Sequence, residues 1–334
     1  MTNPGAASGA VVDVDLLIVG AGPTGLYAAY YAGFRGLSTA LMDSLPEPGG
    51  QITALYPEKL IFDVAGFPEI RGRELVDNLV KQVEPFDPTY LLGHTASSLD
   101  RRGDESLVIT SAEGVAVHAR AVIITGGIGT FSPRPLPVGE EYLGRGLSYF
   151  VPRLGVYEDL DVIVVGGGDS AFDWAFNLHP IARSIRIVHR RDRFRAHEGT
   201  VRAVAALGIP VDVFTEVEAL HGTDSVEAVE LRHKPTGDIR RIEAQGVIAA
   251  LGFTADLGPL MGWGLHIERK QVLVDTRMHT NVPRIFAAGD ITEYPGKVRL
   301  ISVGFGEAAV AVNNAAVVID PAAHLFPGHS SEPG

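Results

Sequence analysis

Apolar residues in this chain fall into short unbroken runs, and two of those runs end directly in glycine-rich turns. Leu16 to Val19 and Val162 to Val165 each read as a buried parallel strand, because a strand covered on both faces needs apolar side chains at every position. The first runs into Gly20-Ala-Gly22-Pro-Thr24-Gly25, and the stretch after it carries Leu26, Ala29, Tyr30 and Gly33 at helical spacing. The second runs into Gly166-Gly-Gly168-Asp169-Ser170-Ala171, and a helix is predicted over 170–178. A further strand follows each helix: Ser38 to Met42, ending at Asp43, and Ser184 to Val188, ending at His189. The stretch 99–129 reads as a β-meander closing with Ala121-Val-Ile-Ile-Thr125 and Gly126-Gly127. Arg284-Ile-Phe-Ala-Ala288 is another buried run, closed by Gly289-Asp290, and 303–319 reads as a helix rich in Ala and Val.

Strand, glycine turn and helix in this order are the parts of a dinucleotide-binding unit. Gly20 makes the tight turn, Gly22 lets backbone approach a pyrophosphate, and Gly25 allows helix to pack on strand; Ala171 takes the third place in the second copy. The helix N-terminus offers free N–H groups to the phosphates. The two copies share a register and differ in charge. Asp43 stands 18 residues past Gly25, whereas 18 past Ala171 stands His189, followed by Arg190 and Arg191. An acid suits a ribose with a free 2′-hydroxyl, as in FAD or NAD, and repels a 2′-phosphate; arginines bind that phosphate bidentately. The first turn is therefore expected to hold FAD and the second NADPH. The competing reading of Arg190 and Arg191 is a solvated charge run with Arg183, Arg186, Arg193 and Arg195. Asp290, at a strand end beside glycine, is placed for a ribityl or pyrophosphate contact. Phe131 either covers the adenine or flavin or is plain core.

The predicted fold is α/β: two Rossmann-like dinucleotide-binding domains, each a three-layer ββα unit, the NADPH domain inserted in the FAD domain. Residues 1–125 and 255–334 form the FAD-binding domain and 126–254 the NADPH-binding domain. The connections are Pro-rich Ser132 to Pro137 and the stretch Ala250 to Gly252, which would also be hinges.

Composition narrows this picture. A chain of 334 residues suits two cores. Its 39 glycines fit turns that approach cofactors, and its lack of cysteine excludes disulfides, thiolate metal sites and thiol redox relays. A net charge of −12 argues against nucleic acid as a partner. The first dozen residues read as a disordered tail without a signal or membrane span, so a cytoplasmic location and no membrane partner are expected.

These residues resemble a known family, the bacterial thioredoxin-reductase-like ferredoxin/flavodoxin–NADP reductases. The resemblance rests on Gly49-Gly-Gln-Ile-Thr-Ala-Leu-Tyr-Pro-Glu-Lys59, Asp63-Val-Ala-Gly-Phe-Pro68, Gly166-Gly-Gly-Asp-Ser-Ala171, His189-Arg-Arg-Asp-Arg-Phe-Arg195 and Phe286-Ala-Ala-Gly-Asp-Ile-Thr292, and it covers nearly the whole chain. It implies that Asp43 meets the FAD adenosine, where many relatives have Glu, by a longer or a water-mediated contact. It implies Gln51 beside the isoalloxazine ring, Tyr56 stacked on one flavin face, and Ala96, Phe131 and Asp290 as further FAD contacts. His329 would lie over the other face, with Ser331 touching the ring. On the NADPH side it implies Gly166, Gly168, Asp169, Ser170, His189, Arg190, Arg191 and Arg195. It further implies a homodimer.

The expected chemistry is hydride transfer from NADPH to FAD and one-electron release to ferredoxin or flavodoxin. This needs positioning rather than a general acid or base. Such partners are acidic, so Lys59, Arg71, Arg73, Lys81, Arg134, Arg145 and Arg153 are candidates for a locally basic docking surface. Thioredoxin reductase shares the architecture but needs the Cys-x-x-Cys that this chain lacks. The flavin monooxygenase linker motif Phe-x-Gly-x-x-x-His is not found. The remaining alternatives are an NADPH-dependent flavin reductase or diaphorase with another protein acceptor, and a non-catalytic NADPH-binding module.

Overall fold

The computed structural model describes residues 11–103, 106–151 and 153–328. The chain opens with β1 (Val11–Val19), α1 (Pro23–Phe34), β2 (Thr39–Asp43), α2 (Gly72–Val83), β3 (Thr89–Leu92), β4 (Ala96–Arg102), β5 (Ser106–Ser111) and β6 (Ala116–Ile124). Then come β7 (Leu147–Ser148), β8 (Asp161–Val165), α3 (Asp169–Leu178), β9 (Ser184–Val188), α4 (Glu198–Ala206), β10 (Val211–Asp212), β11 (Thr215–His221), β12 (Ala228–His233), β13 (Ile239–Glu243) and β14 (Gly246–Ala249). The last labelled elements are β15 (Ile285–Ala287) and α5 (Ile301–Ile319).

These elements form two compact units. One comprises Met1–Ala54, Leu60–Thr130 and Ala255–Gly334; the other comprises Leu55–Lys59 and Phe131–Thr254. The connecting segments Thr130–Pro133 and Phe253–Asp256 pair with each other as a two-stranded sheet.

The first unit is built on a seven-stranded sheet in the order β3-β2-β1-β6-β5-β4, with β15 also pairing β6. From β3 across to β15 the strands run parallel, while β5 and β4 add an antiparallel meander. Strand periodicity sends Leu17 and Val19 of β1 to one face, where they join Met42, Val122, Ile124, Ile285 and Trp263 in a core. On α1, Ala28, Ala29 and Ala32 are buried, and the helix packs on α2 and α5. Tyr27 meets Phe305 of α5 there, with ring centroids 5.1 Å apart. By length and composition the 19-residue α5 is apolar enough to cross a bilayer. Its Gly304, Ala308, Ala311 and Ala315 are instead buried in this unit as a core helix.

Val11 and Val12, counted in the expected N-terminal tail, belong to β1. Val11 pairs with Ala116 and Val12 with Val117, and Val12 and Val14 pack against the core while Asp13 points the other way. The alternation with aspartates hides this half of the strand from a search for unbroken apolar runs.

In the second unit a parallel sheet of order β7-β14-β8-β9-β10 is flanked on one face by α3 and α4 and on the other by the antiparallel sheet β11-β12-β13. Val162 and Val164 of β8 face the helices with Phe172 and Ile187, while Ile163 and Val165 face the second sheet with Val217 and Val229. That is the three-layer ββα arrangement.

Candidate functional site: two glycine turns at strand ends

In the first unit, four neighbouring parallel strands end side by side. Their ends carry Asp43 (β2), Gly20 (β1), Gly126 (β6) and Gly289-Asp290 (β15). Ligands of open α/β sheets bind beyond such carboxyl ends. Backbone bonds lock the ends together: the Gly20 N–H donates to the Met42 carbonyl (2.8 Å), Thr125 to Val19 (2.8 Å) and Ala288 to Ile124 (2.9 Å). Gly20 has φ +115, and a methyl there would lie 2.6 Å from the Thr125 carbonyl oxygen. Helix α1 starts at Gly22 with Pro23 in its first turn, no side-chain cap and no acidic residue in that turn. Such a bare N-terminus fits an anion.

The turn of Gly49 and Gly50 lies over Gly22. The Gly49 N–H donates to the Ala21 carbonyl at 2.8 Å, and a Cβ on Gly50 would come within 3.0 Å of Gly22 Cα. Gln51 opens a short helix, and its amide nitrogen lies 2.7 Å from where a Gly127 methyl would stand. Two glycine backbones and one glutamine amide thus line the same mouth, a cradle that side chains would fill. Thr24 sits between Gly289 and Gly304, whose absent methyls leave it room.

Asp43 has a structural bond on each oxygen. Oδ2 accepts the Ala21 N–H at 2.6 Å and Oδ1 the Leu45 N–H at 2.8 Å. Burial nevertheless holds its carboxyl above the ordinary range, and those two bonds only partly offset that. The carboxylate keeps further lone pairs for a ribose. Ala96 begins β4 just after His94, whose N–H donates to the Asp43 carbonyl at 2.9 Å, so that segment passes the same end of the sheet. Burial likewise raises the Asp290 carboxyl, Lys297 and Arg299 draw it back, and Glu307 pushes it up.

The second unit repeats the turn. Gly166 donates to the Val188 carbonyl at 3.0 Å, the counterpart of Gly20 and Met42, and α3 starts at Gly168 without a side-chain cap. A Cβ on Gly168 would meet nothing within 4 Å. Asp169 and Ser170 are exposed in the first turn; Asp169 also accepts the His197 N–H at 2.8 Å, which ties the 189–197 loop to the helix start. The Arg195 N–H donates to the Gly167 carbonyl at 2.7 Å.

His189 occupies the place of Asp43 in a different way. Its imidazole lies over Gly167, where a Cβ would come within 2.3 Å of the ring. Ala21 is the matching residue in the first turn, so the pair Ala21 and Asp43 is exchanged for Gly167 and His189. His189 Nε2 lies 3.2 Å from the Arg193 carbonyl, to which it donates. Burial holds its pKa below the usual value, the Arg193 bond opposes this, and the charges of Arg190 and Arg191 add to it. The structure also divides the arginine run. Arg183 pairs with Asp161 and Arg186 with Asp212 at 2.9 Å. Arg190, Arg191, Arg193 and Arg195 are exposed, and none of them makes a salt bridge among the described residues.

Tyr56 groups with the second unit, half-buried against the core that contains Phe172 and Trp174. In that segment Lys59 pairs with Asp173 of α3 at 2.5 Å. Arg145 donates to the backbone carbonyls of Asp224 and Glu141. Phe131 lies in the strand Thr130–Pro133, and its side chain is outside the description. His329 and Ser331 lie outside the described residues. Sequence reasoning missed Glu307, a buried acid on α5 whose Oε2 accepts the Gly289 N–H at 2.7 Å. The signal was available: one acid among Gly304, Ala308 and Ala311 on the buried side of an apolar helix.

Residues 14–315 match the pattern of the pyridine nucleotide-disulphide oxidoreductase family. The chain belongs to that family. It is 66% identical over 316 residues to a protein named ferredoxin–NADP reductase from Frankia alni, covering 95% of this chain and 98% of the relative. A protein of the same name from Thermus thermophilus is 47% identical over 324 residues, 95% of this chain and 96% of the relative. Among solved structures, the chain is similar to the thioredoxin reductase of T. acidophilum, with a TM-score of 0.76 and 27% identity over 91% of this chain and 98% of that one. The thioredoxin reductase of Lactococcus lactis gives 0.74 and 26% over 92% and 99%. This member of the family has no cysteine, so its own residues cannot carry out thiol–disulfide exchange.

Proposed function

We propose that this oxidoreductase moves electrons between NADPH and a ferredoxin or flavodoxin through FAD, with FAD in the first unit and NADPH in the second. The observation that carries the assignment is the contrast at one register position. Asp43 closes the first turn with a carboxylate, while His189 closes the second beside four exposed arginines that have no salt bridge among the described residues. A carboxylate favours a free ribose hydroxyl, and uncommitted guanidinium groups favour a 2′-phosphate.

When bound, FAD supplies the step between two-electron and one-electron chemistry. The N–H groups at the start of α1 hold its pyrophosphate, Asp43 its adenosine, Asp290 its ribityl chain and Gln51 the neighbourhood of the ring. Gly166, Gly168 and Ser170 hold the NADPH pyrophosphate, and Arg190 and Arg191 hold the 2′-phosphate. Asp169 stiffens the loop that carries them through His197, with Arg195 anchored on Gly167. Tyr56 and His329 are proposed as the flavin-stacking residues, and no residue serves as a general acid or base. The names of the relatives support ferredoxin as the acceptor. The homodimer that the resemblance implies belongs to the same proposal and is tested by sedimentation.

The test is anaerobic reduction of the purified yellow protein by NADPH and by NADH, followed by ferredoxin and cytochrome c. Fast bleaching by NADPH, slow bleaching by NADH and ferredoxin-dependent cytochrome reduction are expected. If NADPH bleaches the flavin but ferredoxin adds nothing, the acceptor assignment falls. If neither nucleotide bleaches it, the NADPH-linked function falls.

A further inference from the structure

The Glu307 side chain on α5 is 5% exposed, and that of its partner Lys297 is 1% exposed. Lys297 Nζ lies 2.5 Å from Oε1, and the Tyr294 hydroxyl donates to that oxygen at 2.6 Å. Oε2 accepts the Gly289 N–H at 2.7 Å. The Thr292 hydroxyl lies 3.4 Å from Oε2 and donates to the Gly289 carbonyl at 2.8 Å. Donors from a single loop, 289–297, therefore converge on one carboxylate.

A buried ion pair is a weak stabiliser, because desolvating both charges offsets their attraction. Its position says more than its strength. The clamped amide belongs to Gly289, immediately before Asp290. Gly289 has φ +85, and its absent methyl leaves room for Thr24 of α1. A methyl on Gly304, one turn before Glu307, would lie 2.5 Å from Thr24 Oγ1 and 3.5 Å from Gly289 Cα. The first turn of α1, the 289–290 turn and the first turn of α5 thus meet at one point, and Glu307 fastens the middle one to α5.

We infer that Glu307, held by Lys297, is a positioning residue that sets the Gly289–Asp290 turn so that Asp290 reaches FAD. This rests on the reading of the first unit as the FAD site. Glu307 acts through Asp290 and needs no contact with the cofactor. The Asp290 carboxyl is sensitive to this neighbourhood, being raised by burial, lowered by Lys297 and Arg299, and raised again by Glu307.

The experiment is a double-mutant cycle on the full-length protein with Glu307→Gln, Asp290→Asn and the pair, read as the FAD dissociation constant and the flavin midpoint potential. Lys297→Met, alone and with Asp290→Asn, is a parallel cycle in case the buried amide prevents folding. Expected is a roughly 10-fold weakening of FAD binding and a displaced potential for Glu307→Gln or Lys297→Met, both effects largely absent in the Asp290→Asn background. Equal weakening in both backgrounds overturns the inference, since Glu307 would then act on stability alone. Unchanged FAD affinity in the single variants overturns it as well. If the wild-type protein itself binds no FAD, the reading of the first unit falls and takes this inference with it.

Discussion

Gly25 and Ala171 hold the same place in the two turns, and exchanging their side chains should have unequal effects. A methyl on Gly25 would lie 1.9 Å from the Gly20 carbonyl oxygen and 2.7 Å from Thr125 Oγ1. Heavy atoms in comfortable contact sit about 3.5 Å apart, so the first turn of α1 must retreat by roughly 1.5 Å. Neither obstacle yields easily: the Thr125 hydroxyl donates to the Gly20 carbonyl at 2.7 Å, and the Thr125 N–H to Val19 at 2.8 Å. Overpacking of this kind costs about 1–3 kcal/mol. For a chain of this size that lowers the melting temperature by roughly 2–12 °C. The same retreat would carry the α1 N–H groups away from the proposed pyrophosphate position. Losing one charge-assisted bond, worth about 1.5–3 kcal/mol, weakens FAD binding roughly 10- to 150-fold. Ala171 is already fully buried without such a clash, so Ala171→Gly removes only a methyl and some helix propensity, about 1 kcal/mol. The assays are the flavin-to-protein absorbance ratio after dialysis, FAD titration of the apoprotein and thermal melting. A Gly25→Ala protein that keeps its FAD with unchanged affinity and melts like wild type would refute the reasoning.

The other predictions concern the residues at the ribose register. Arg190→Ala with Arg191→Ala should raise the KM for NADPH roughly 10- to 100-fold and leave that for NADH nearly unchanged, because no salt bridge is lost; equal changes for both nucleotides would count against the 2′-phosphate role. Asp43→Asn turns an N–H2 group toward a backbone N–H that now finds a carboxylate oxygen, so FAD affinity should fall about 10-fold; titration of the apoprotein checks this. His189 should titrate below 6.5 in the folded protein, as followed by its NMR signals. The unfolded chain then takes up the proton first, so this contribution to stability is present above pH 6.5 and lost as pH falls from there through the folded midpoint. Melting temperatures of wild type and His189→Asn across that window measure it, and identical slopes would argue against a depressed pKa.

The legible parts of this protein were those whose cause is local. Four buried runs, two glycine turns and the strand-end residues Asp43, His189 and Asp290 follow from period, turn chemistry and spacing alone. What stayed hidden depends on residues distant in sequence. The first half of β1 is a strand only because it pairs with β6. The tie of Lys59 to the second unit depends on Asp173, more than a hundred residues away, and that of Tyr56 on the core around Phe172 and Trp174. The two bonds on Asp43 and the three donors on Glu307 belong to folded loops, whose convergence no periodicity reports. The arginine run was ambiguous for the same reason: which members are neutralised depends on Asp161 and Asp212, on separate strands.

The exchange of Ala21 and Asp43 for Gly167 and His189 makes each pair a single steric unit. Histidine at position 43 with Ala21 in place would put an imidazole where a methyl already stands, while Gly167→Ala in the second turn drives a methyl into the ring of His189. Shortening the ribose-side residue first, or removing the methyl first, avoids the collision. Exchanging the two pairs is therefore expected to be path-dependent: the same two substitutions should be tolerated in one order and damaging in the other. Libraries that vary only position 43 or only position 189 leave the second member of each steric pair untouched.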